Sequence, residues 1–156
     1  YQSARFRENG LPHEFQQDNL SVSDKAVIRG IHLQKTPFAQ GKLVRCLRGK
    51  VYDVAVDLRK NSPTFGQWDG FELSEENQHS LYIPAGFGHG FQALEDQSMF
   101  AYKCTHLYSK EDEAGIRYDD PEIGIQWPLA NGKISEKDLQ LPSLSEMGGL
   151  EPQQYQ

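Results

Sequence analysis

Short runs of apolar and β-branched residues, separated by glycine and proline, follow one another along most of the chain. Between residues 51 and 58 apolar side chains recur at every second position, which is the period of a β-strand. One face of this strand carries Tyr52, Val54, Val56 and Leu58, and the other, mixed face carries Val51, Asp53, Ala55 and Asp57. Arg48-Gly49-Lys50 before it is typical of a short hairpin turn. The other predicted strands are residues 26–34, 42–47, 66–73, 80–83, 90–94 and 99–105. Short strands at this spacing predict an all-β sandwich or barrel.

The helical signal is thin in comparison. We expect one capped turn at residues 74–77, the capping-box start of a short helix at residues 109–113, and another helical turn opening at residues 135–138. After Pro142 the pattern is weak, so residues 143–156 are predicted to form a weakly ordered tail. Because the chain shows neither a repeat nor a long linker, residues 1–156 are predicted to form a single domain.

The charge balance narrows the classes of function. The chain has 156 residues, with 16 Lys and Arg against 22 Asp and Glu, which gives a net charge of −6. This balance argues against a general binder of nucleic acid or anionic membranes, but it permits one local basic pocket. Cys46 and Cys104 lack zinc-site spacing, so we expect reduced core thiols. No apolar run reaches the roughly 18–20 residues of a membrane span. No secretory signal is visible either, so we expect a cytoplasmic protein.

The segment Pro84-Ala85-Gly86-Phe87-Gly88-His89 is the first candidate for chemistry. Its proline and glycines predict a turn between two strands, with His89 beginning the second strand near the mouth of a barrel. A hydrogen-bonded structural histidine explains His89 about as well as a functional one. The spacing Pro-x-Gly-x-x-His resembles the second signature of cupins, which are double-sheet jelly rolls with a pocket between the sheets.

The first cupin signature normally supplies His-x-His and a later Glu as metal ligands. The corresponding stretch here keeps His32 but has Gln34 in place of the second histidine. Two histidines without a carboxylate or thiolate make a poor transition-metal site. The sequence therefore favours a metal-free cupin, in which His32 becomes a candidate for an isolated catalytic imidazole, although a lone histidine in a β-rich apolar run is usually structural.

The neighbours of His32 strengthen that interpretation. Arg29 lies three residues earlier, and Gly30 permits a β-bulge that would bring both side chains toward one pocket. With Lys42, they suit an anionic ligand and a reaction in which His removes a proton beside a carbonyl while a cation stabilises the oxyanion. Tyr102 is either a core aromatic residue or a proton donor on the opposite face. The candidates to orient His32 are Asp53, Asp57 and Asp138, and spacing alone does not choose between them.

An ordered series of segments then makes the resemblance more specific. Taken together, they resemble the dTDP-4-dehydrorhamnose 3,5-epimerase family over about residues 9 to 142. The segments are residues 17–19, 28–32, 40–45, 54–59, 62–66, 83–91, 102–103, 115–121 and 135–138.

This resemblance implies a jelly-roll homodimer, with a few short helices and with neither a metal nor an organic cofactor. The implied substrate is dTDP-4-dehydro-6-deoxy-D-glucose, inverted at C3 and C5. By motif, His32 would be the proton acceptor, Tyr102 the proton donor, Asp138 the partner of His32, and Lys42 the group facing the enolate. The residues implied to contact substrate or nucleotide are Gln17, Asp18, Asn19, Arg29, Lys42, His89, Glu113 and Lys137.

The family carries an upstream Asp-x-Arg-Gly-x-Phe-x-Glu segment, so we expect a natural chain that extends before Tyr1.

The resemblance is compatible with more than one activity. A single-site 3- or 5-epimerase of an antibiotic-sugar pathway shares the histidine and often the tyrosine. Two more candidate functions are those of a related dTDP-sugar ketoisomerase and of a non-catalytic cupin that binds a sugar nucleotide or a metal.

Overall fold

The computed structural model describes residues 1–155, most of which lie in or between strands. The strands are β1 (Gln17–Ser23), β2 (Ile28–Gln34), β3 (Lys42–Arg48), β4 (Lys50–Asp57), β5 (Trp68–Ser74), β6 (Ser80–Ile83), β7 (Phe87–Ala93), β8 (Ser98–Cys104) and β9 (Glu113–Gly115). The helices are α1 (Ser3–Glu8), α2 (Glu136–Leu139), α3 (Leu144–Met147) and a 3₁₀ turn (Pro152–Gln154). None of these helices is long and apolar enough to cross a membrane.

The strands form two antiparallel sheets. One sheet has four strands in the order β1-β8-β3-β6, and the other has five in the order β5-β4-β7-β2-β9. Neighbours such as β2 and β7 are far apart in sequence, so the chain crosses repeatedly between the sheets. This arrangement confirms the predicted all-β, cupin-type jelly roll with a few short helices.

The seven strands predicted from the hydrophobic pattern are all present, with their ends moved by up to three residues. The pattern missed β1 and β9, and it also missed the short α1. The expected helix start at residues 109–113 is wrong, because Glu113 opens β9 instead. Helix α2 is confirmed, and the Ser135 side chain caps it by accepting a hydrogen bond from the Asp138 amide. Residues 74–77 form a turn closed by the Asn77 amide on Ser74 Oγ at 3.0 Å.

Both faces of the five-stranded sheet are buried, each against a different layer. Val51 and Phe91 pack against Val44 and Phe100 of the four-stranded sheet, and this cluster fills the space between the two sheets. The opposite face carries Val54, Val56 and Leu58, which lie in a second cluster with side chains from beyond β9, including Ile116, Ile123, Leu144 and Leu150. The apolar face of β4 therefore points away from the other sheet, and its mixed face points between the sheets. Each large side chain buried in these layers contributes on the order of 1.5–3 kcal/mol of transfer free energy.

The segment after Pro142, where the sequence pattern is weak, takes part in that second cluster. Ser143 and Glu146 form a capping box at the start of α3. Leu144 and Leu150 are buried, with exposed fractions of 7% and 1%. These contacts cover the outer face of the five-stranded sheet.

A β-bulge in β2 sets the geometry of the site. Arg29 pairs with Phe91 and His32 pairs with His89, so β2 holds one more residue than β7 between these pairs. The extra residue turns Arg29 and His32 toward the same side of the sheet. Gly30 has φ of +111°, and a Cβ there would approach Gly90 Cα and His89 O to 2.6 Å. Only glycine fits this position, which confirms the bulge predicted from the sequence.

Candidate active site

His32 lies on β2 with a carboxylate on one ring nitrogen. His32 Nε2 is 2.8 Å from Asp138 Oδ1, and the Gly30 amide donates to Asp138 Oδ2 at 3.2 Å. Burial raises the pKa of Asp138, but the hydrogen bonds from His32, Gly30 and Ser135 outweigh it, so the net pKa is lowered and the carboxyl stays ionised. An ionised carboxylate here fixes the ring and stabilises a protonated imidazole.

The second ring nitrogen of His32 faces another carboxylate. His32 Nδ1 is buried without a hydrogen-bond partner among residues 1–155, and Glu113 Oε1 lies 3.4 Å from it. The other oxygen of Glu113 accepts hydrogen bonds from Lys137 Nζ at 2.7 Å and from the Tyr108 hydroxyl at 3.0 Å. Burial raises the pKa of Glu113, but these two bonds and the nearby His32 bring it below its usual range. His32 Nδ1 is therefore the nitrogen available to take a proton.

Lys42, on β3, brings a cation to the same place from the other sheet. Its Nζ donates to the His32 carbonyl oxygen at 3.3 Å, and only 9% of the residue is exposed. Burial lowers the pKa of Lys42, while Cys104, Asp53 and Glu113 oppose that effect. A buried ammonium with one weak hydrogen bond is well suited to hold an oxyanion.

Tyr102, on β8, shares two cavities with His32 and Lys42. One cavity has a volume of about 550 Å³ and extends to Arg29 and Lys137; the other, of about 270 Å³, extends toward β1. The Tyr102 ring packs edge-on against His89 at a centroid distance of 6.4 Å, which places it between the sheets. Burial raises the pKa of the phenol, so it carries its proton at neutral pH. The predicted pairing of His32 and Tyr102 around one space has this geometric support.

His89 belongs to a second histidine–carboxylate pair. His89 Nε2 is 2.8 Å from Asp53 Oδ2, and both residues are buried, with exposed fractions of 7% and 0%. His89 borders the larger cavity beside Lys42 and Tyr102.

The structure thus separates the three aspartates that the sequence left open. Asp138 contacts His32, and Asp53 contacts His89. Asp57 instead receives both arms of the Arg59 guanidinium, at 2.9 and 2.7 Å, outside the pocket that holds His32. Asp57 holds together the loop that follows β4.

The other predicted contact residues divide by strand face. Arg29 and Lys137 line the larger cavity, and Gln17 and Asn19 line the smaller one. Asp18 does not follow them, because alternate residues of β1 point to opposite faces. Its side chain is exposed on the outer face and pairs with Lys103 at 2.7 Å. The structure therefore gives no support to a substrate contact by the Asp18 side chain.

Sequence reasoning missed several residues that line the cavities. Tyr108 borders the smaller cavity, and Ser21, Lys133 and Ser135 border the larger one. Ser21 continues the alternation of Gln17 and Asn19 along β1, a signal that was readable only once β1 was assigned as a strand. Tyr108 lies in a loop, where periodicity gives no orientation.

The described residues do not gather a metal site. Within residues 1–155, no group of three or more His, Cys, Asp or Glu side chains has an arrangement that would hold a metal ion. The Gln34 amide, which stands where a metal cupin has its second histidine, accepts a hydrogen bond from the Ser109 amide at 2.8 Å.

This arrangement is suited to acid–base chemistry on an anionic ligand. It offers a base held by a carboxylate, a buried ammonium, a neutral phenol, and cations at Arg29 and Lys137 near the opening. A base next to an oxyanion-stabilising cation can form an enolate, and a phenol in the same cavity can return a proton.

Comparisons with known proteins point to one family. The sequence profile described as dTDP-4-dehydrorhamnose 3,5-epimerase matches residues 1–146. A relative of that name from Methanothermobacter thermautotrophicus is 52% identical over 149 residues, which cover 94% of this chain and 80% of the relative.

Two solved structures carry ligands of the same kind. A dTDP-6-deoxy-D-glucose-3,5-epimerase from Legionella pneumophila, in complex with dTDP-4-keto-L-rhamnose, superposes with a TM-score of 0.88 at 48% identity, covering 93% of this chain and 78% of that one. A 3′-monoepimerase from Streptomyces bikiniensis, in complex with dTDP-quinovose, gives a TM-score of 0.90 at 33% identity, with coverage of 97% and 79%.

Proposed function

The chain belongs to the dTDP-4-dehydrorhamnose 3,5-epimerase family, and on that premise we propose how its site performs the reaction. The enzyme converts dTDP-4-dehydro-6-deoxy-D-glucose to dTDP-4-dehydro-L-rhamnose by inverting C3 and C5. One observation carries the proposal: His32, held by Asp138, shares a cavity with Lys42 and Tyr102.

Proton abstraction is the first step at each carbon. The hydrogens at C3 and C5 both flank the C4 ketone, so removal of either one gives an enolate. His32 Nδ1 takes the proton, and the resulting imidazolium lies between Asp138 and Glu113. Because Glu113 lies against Nδ1, we expect its carboxylate to move when the sugar enters. Neither step changes the oxidation state of the sugar, so the chemistry requires no redox cofactor.

The enolate oxygen needs a positive partner that is in place before the reaction. Lys42 supplies it from β3, where it is buried and, among residues 1–155, donates a hydrogen bond to the His32 carbonyl alone, at 3.3 Å. A fixed cation in a site that excludes water stabilises a developing oxyanion more strongly than it would in bulk water.

Inversion requires a proton donor on the opposite face. An enolate that regains its proton from the face that lost it returns to the substrate. Tyr102 lies on the other sheet from His32, and its phenol is neutral at neutral pH because burial raises its pKa. Tyr102 is therefore assigned as the donor, and this assignment favours an epimerase over a ketoisomerase.

The nucleotide occupies the open ends of the two cavities. Arg29, Lys133 and Lys137 border the larger one, and guanidinium and ammonium groups are suitable partners for a diphosphate. Tyr108, which is 50% exposed at the edge of the smaller cavity, offers a flat aromatic surface on which a base can stack.

A homodimer in the cytoplasm is the proposed form of the enzyme. The outer face of the four-stranded sheet exposes Leu20, Val22 and Leu47, with exposed fractions of 60%, 44% and 37%. This face also holds a cleft of about 620 Å³. Exposed apolar area of this kind is typical of a subunit interface. Sedimentation equilibrium tests the dimer, and a monomer at micromolar concentration would contradict it.

The specific alternative is inversion at one carbon, since a 3′-monoepimerase shares this fold. Incubation of the enzyme with dTDP-4-dehydro-6-deoxy-D-glucose in deuterated water, followed by NMR of the sugar, separates the two activities. The 3,5-epimerase gives deuterium and inverted configuration at both C3 and C5. Deuterium and inversion at one carbon only would identify a monoepimerase, and no exchange at either would contradict both.

A further inference from the structure

A buried carboxylate, that of Asp53, lies behind the pocket. It does not pair with His32, and it is not one of the residues predicted to contact the substrate. Asp53 is on the face of β4 that points between the sheets, and its exposed fraction is 0%. Its Oδ2 is 2.8 Å from His89 Nε2, but its Oδ1 is buried without any hydrogen-bond partner among residues 1–155. A carboxylate oxygen left without a hydrogen bond inside a protein costs free energy, so its presence needs an explanation.

Two pocket groups lie close to this carboxylate. His89 contacts it directly, and Lys42 is near enough for its charge to act on Asp53 although the two do not form a direct ion pair. Burial raises the pKa of Asp53 above its usual range, and the charges of His89 and Lys42 oppose this shift without cancelling it. Lys42 and His89 both border the larger cavity, so Asp53 lies behind two groups that face the substrate.

Lys42 has few other negative charges to balance its own. Titratable groups approach it from each surrounding strand: His32 on β2, Asp53 on β4, His89 on β7, Tyr102 and Cys104 on β8, and Glu113 on β9. Burial raises the pKa of the Cys104 thiol and of the Tyr102 phenol, so both are uncharged at neutral pH. Glu113 is already paired with Lys137 at 2.7 Å. Among the described residues, Asp53 is thus the carboxylate near Lys42 that pairs with neither a lysine nor an arginine.

We propose that Asp53 is a positioning residue of this site: its buried negative charge keeps Lys42 protonated, and its bond to His89 fixes which ring nitrogen faces the cavity. With the His89 Nε2 proton donated to Asp53, Nδ1 is the nitrogen left for the substrate. Asp53 itself does not contact the substrate. The inference rests on the proposed function, because it gives Lys42 its oxyanion-stabilising role.

The test compares Asp53→Asn with Asp57→Asn. Both changes neutralise a carboxylate on the face of β4 that points between the sheets. Asp57→Asn is the control, because Asp57 pairs with Arg59 outside the pocket. The ionisation of Lys42 is followed by NMR of protein labelled with ¹³C at lysine Cε, and the Lys42 signal is assigned with Lys42→Arg. Removal of a nearby opposite charge should lower the pKa of Lys42 by roughly one unit or more in Asp53→Asn. In the Asp57→Asn protein the pKa of Lys42 should be unchanged, even if the melting temperature of the protein falls.

Turnover gives a second readout. The alkaline limb of the kcat profile of Asp53→Asn should move to lower pH together with the Lys42 titration, while the limb of Asp57→Asn stays in place. A folded Asp53→Asn protein in which Lys42 titrates as in the wild type would overturn the proposal. Since the NMR titration needs no turnover, its result is independent of whether the proposed epimerisation is correct.

A third measurement covers the case in which Asp53→Asn does not fold. In wild-type protein labelled with ¹⁵N at histidine and ¹³C at the aspartate carboxyl, His89 should carry its proton on Nε2 at pH 7. Asp53 should be ionised at that pH. A protonated Asp53 carboxyl, or a His89 proton on Nδ1 alone, would overturn the proposal without any variant.

Discussion

Replacing Asp138 with asparagine should disable the base without removing any atom of the His32 side chain. Asp138 now accepts from His32 on Oδ1 at 2.8 Å and from the Gly30 amide on Oδ2 at 3.2 Å. An asparagine can accept on one side only, because its other terminal atom is an amide nitrogen that donates.

Each orientation of that amide has a cost. If the nitrogen faces Gly30, two donors meet and a buried backbone N–H loses its partner, which destabilises the fold by about 1–3 kcal/mol. If the nitrogen faces His32, it donates to Nε2, and the single proton of the neutral ring moves to Nδ1. The ring nitrogen that should take the substrate proton is then already protonated. The Gly30 contact therefore favours the orientation that blocks the base.

The lost charge adds to this effect. The Asp138 carboxylate contacts the His32 ring and stabilises the imidazolium that forms when the ring takes a proton, and asparagine brings no charge to do this. Little of either side chain is exposed, 23% for His32 and 8% for Asp138, so solvent screens the pair only partly. The loss of this charge and the change of tautomer together should lower kcat on the order of 1,000-fold, which lies within the range for removal of a general base.

The assay is exchange of the C3 and C5 hydrogens with deuterated water, followed by NMR at several protein concentrations. Asp119→Asn is the matched control, because Asp119 pairs with Arg117 on the surface at 2.6 Å. That control should keep wild-type exchange. A folded Asp138→Asn protein that exchanges both hydrogens within about threefold of the wild-type rate would refute the assignment of Asp138.

Three further predictions rest on the same geometry. Tyr102→Phe should keep hydrogen exchange but lose inverted product, most clearly at C5, as NMR of the sugar would show; unchanged yields would remove Tyr102 as the donor. A chelator should leave turnover intact, since Gln34 stands at the second ligand position of a metal cupin; loss of activity that one divalent ion restores would contradict this. Burial raises the pKa of Asp57, but hydrogen bonds from Arg59, Ser62 and Thr64 outweigh this effect and hold the pKa well below its usual range. The ionised Asp57 therefore stabilises the fold above about pH 4. The difference in melting temperature between wild type and Asp57→Asn should therefore shrink as the pH falls below about 4, and a constant difference would exclude this linkage.

The sequence pattern was sufficient to predict those strands that carry apolar side chains. Residues 51–58 were readable as a strand because their alternation is regular, and β4 follows it closely. The pattern did not reveal which face of β4 points between the sheets, because both faces are buried, one against the other sheet and one against residues from beyond β9. Strand β1 was missed because alternate positions, Gln17, Asn19 and Ser21, are polar and line the cavities instead of a core.

The site was partly predictable for a similar reason. The glycine at position 30 allowed the bulge that brings Arg29 and His32 together, and the structure contains it. The partner of His32 was not predictable from spacing, because Asp138 is 106 residues away and reaches the ring only through the placement of α2 against β2. Tertiary packing over such distances leaves no local signal in the sequence.

The proposed mechanism depends most on His32 serving both carbons from one position. The most direct measurement is the rate at which His32→Ala incorporates solvent deuterium at C3 and at C5 of dTDP-4-dehydro-6-deoxy-D-glucose, compared with wild type by NMR. The variant should fold, since His32 borders a cavity and lies outside both apolar clusters. Exchange should fall on the order of 100- to 10,000-fold at both carbons. Near wild-type exchange at either carbon would show that another residue removes that proton.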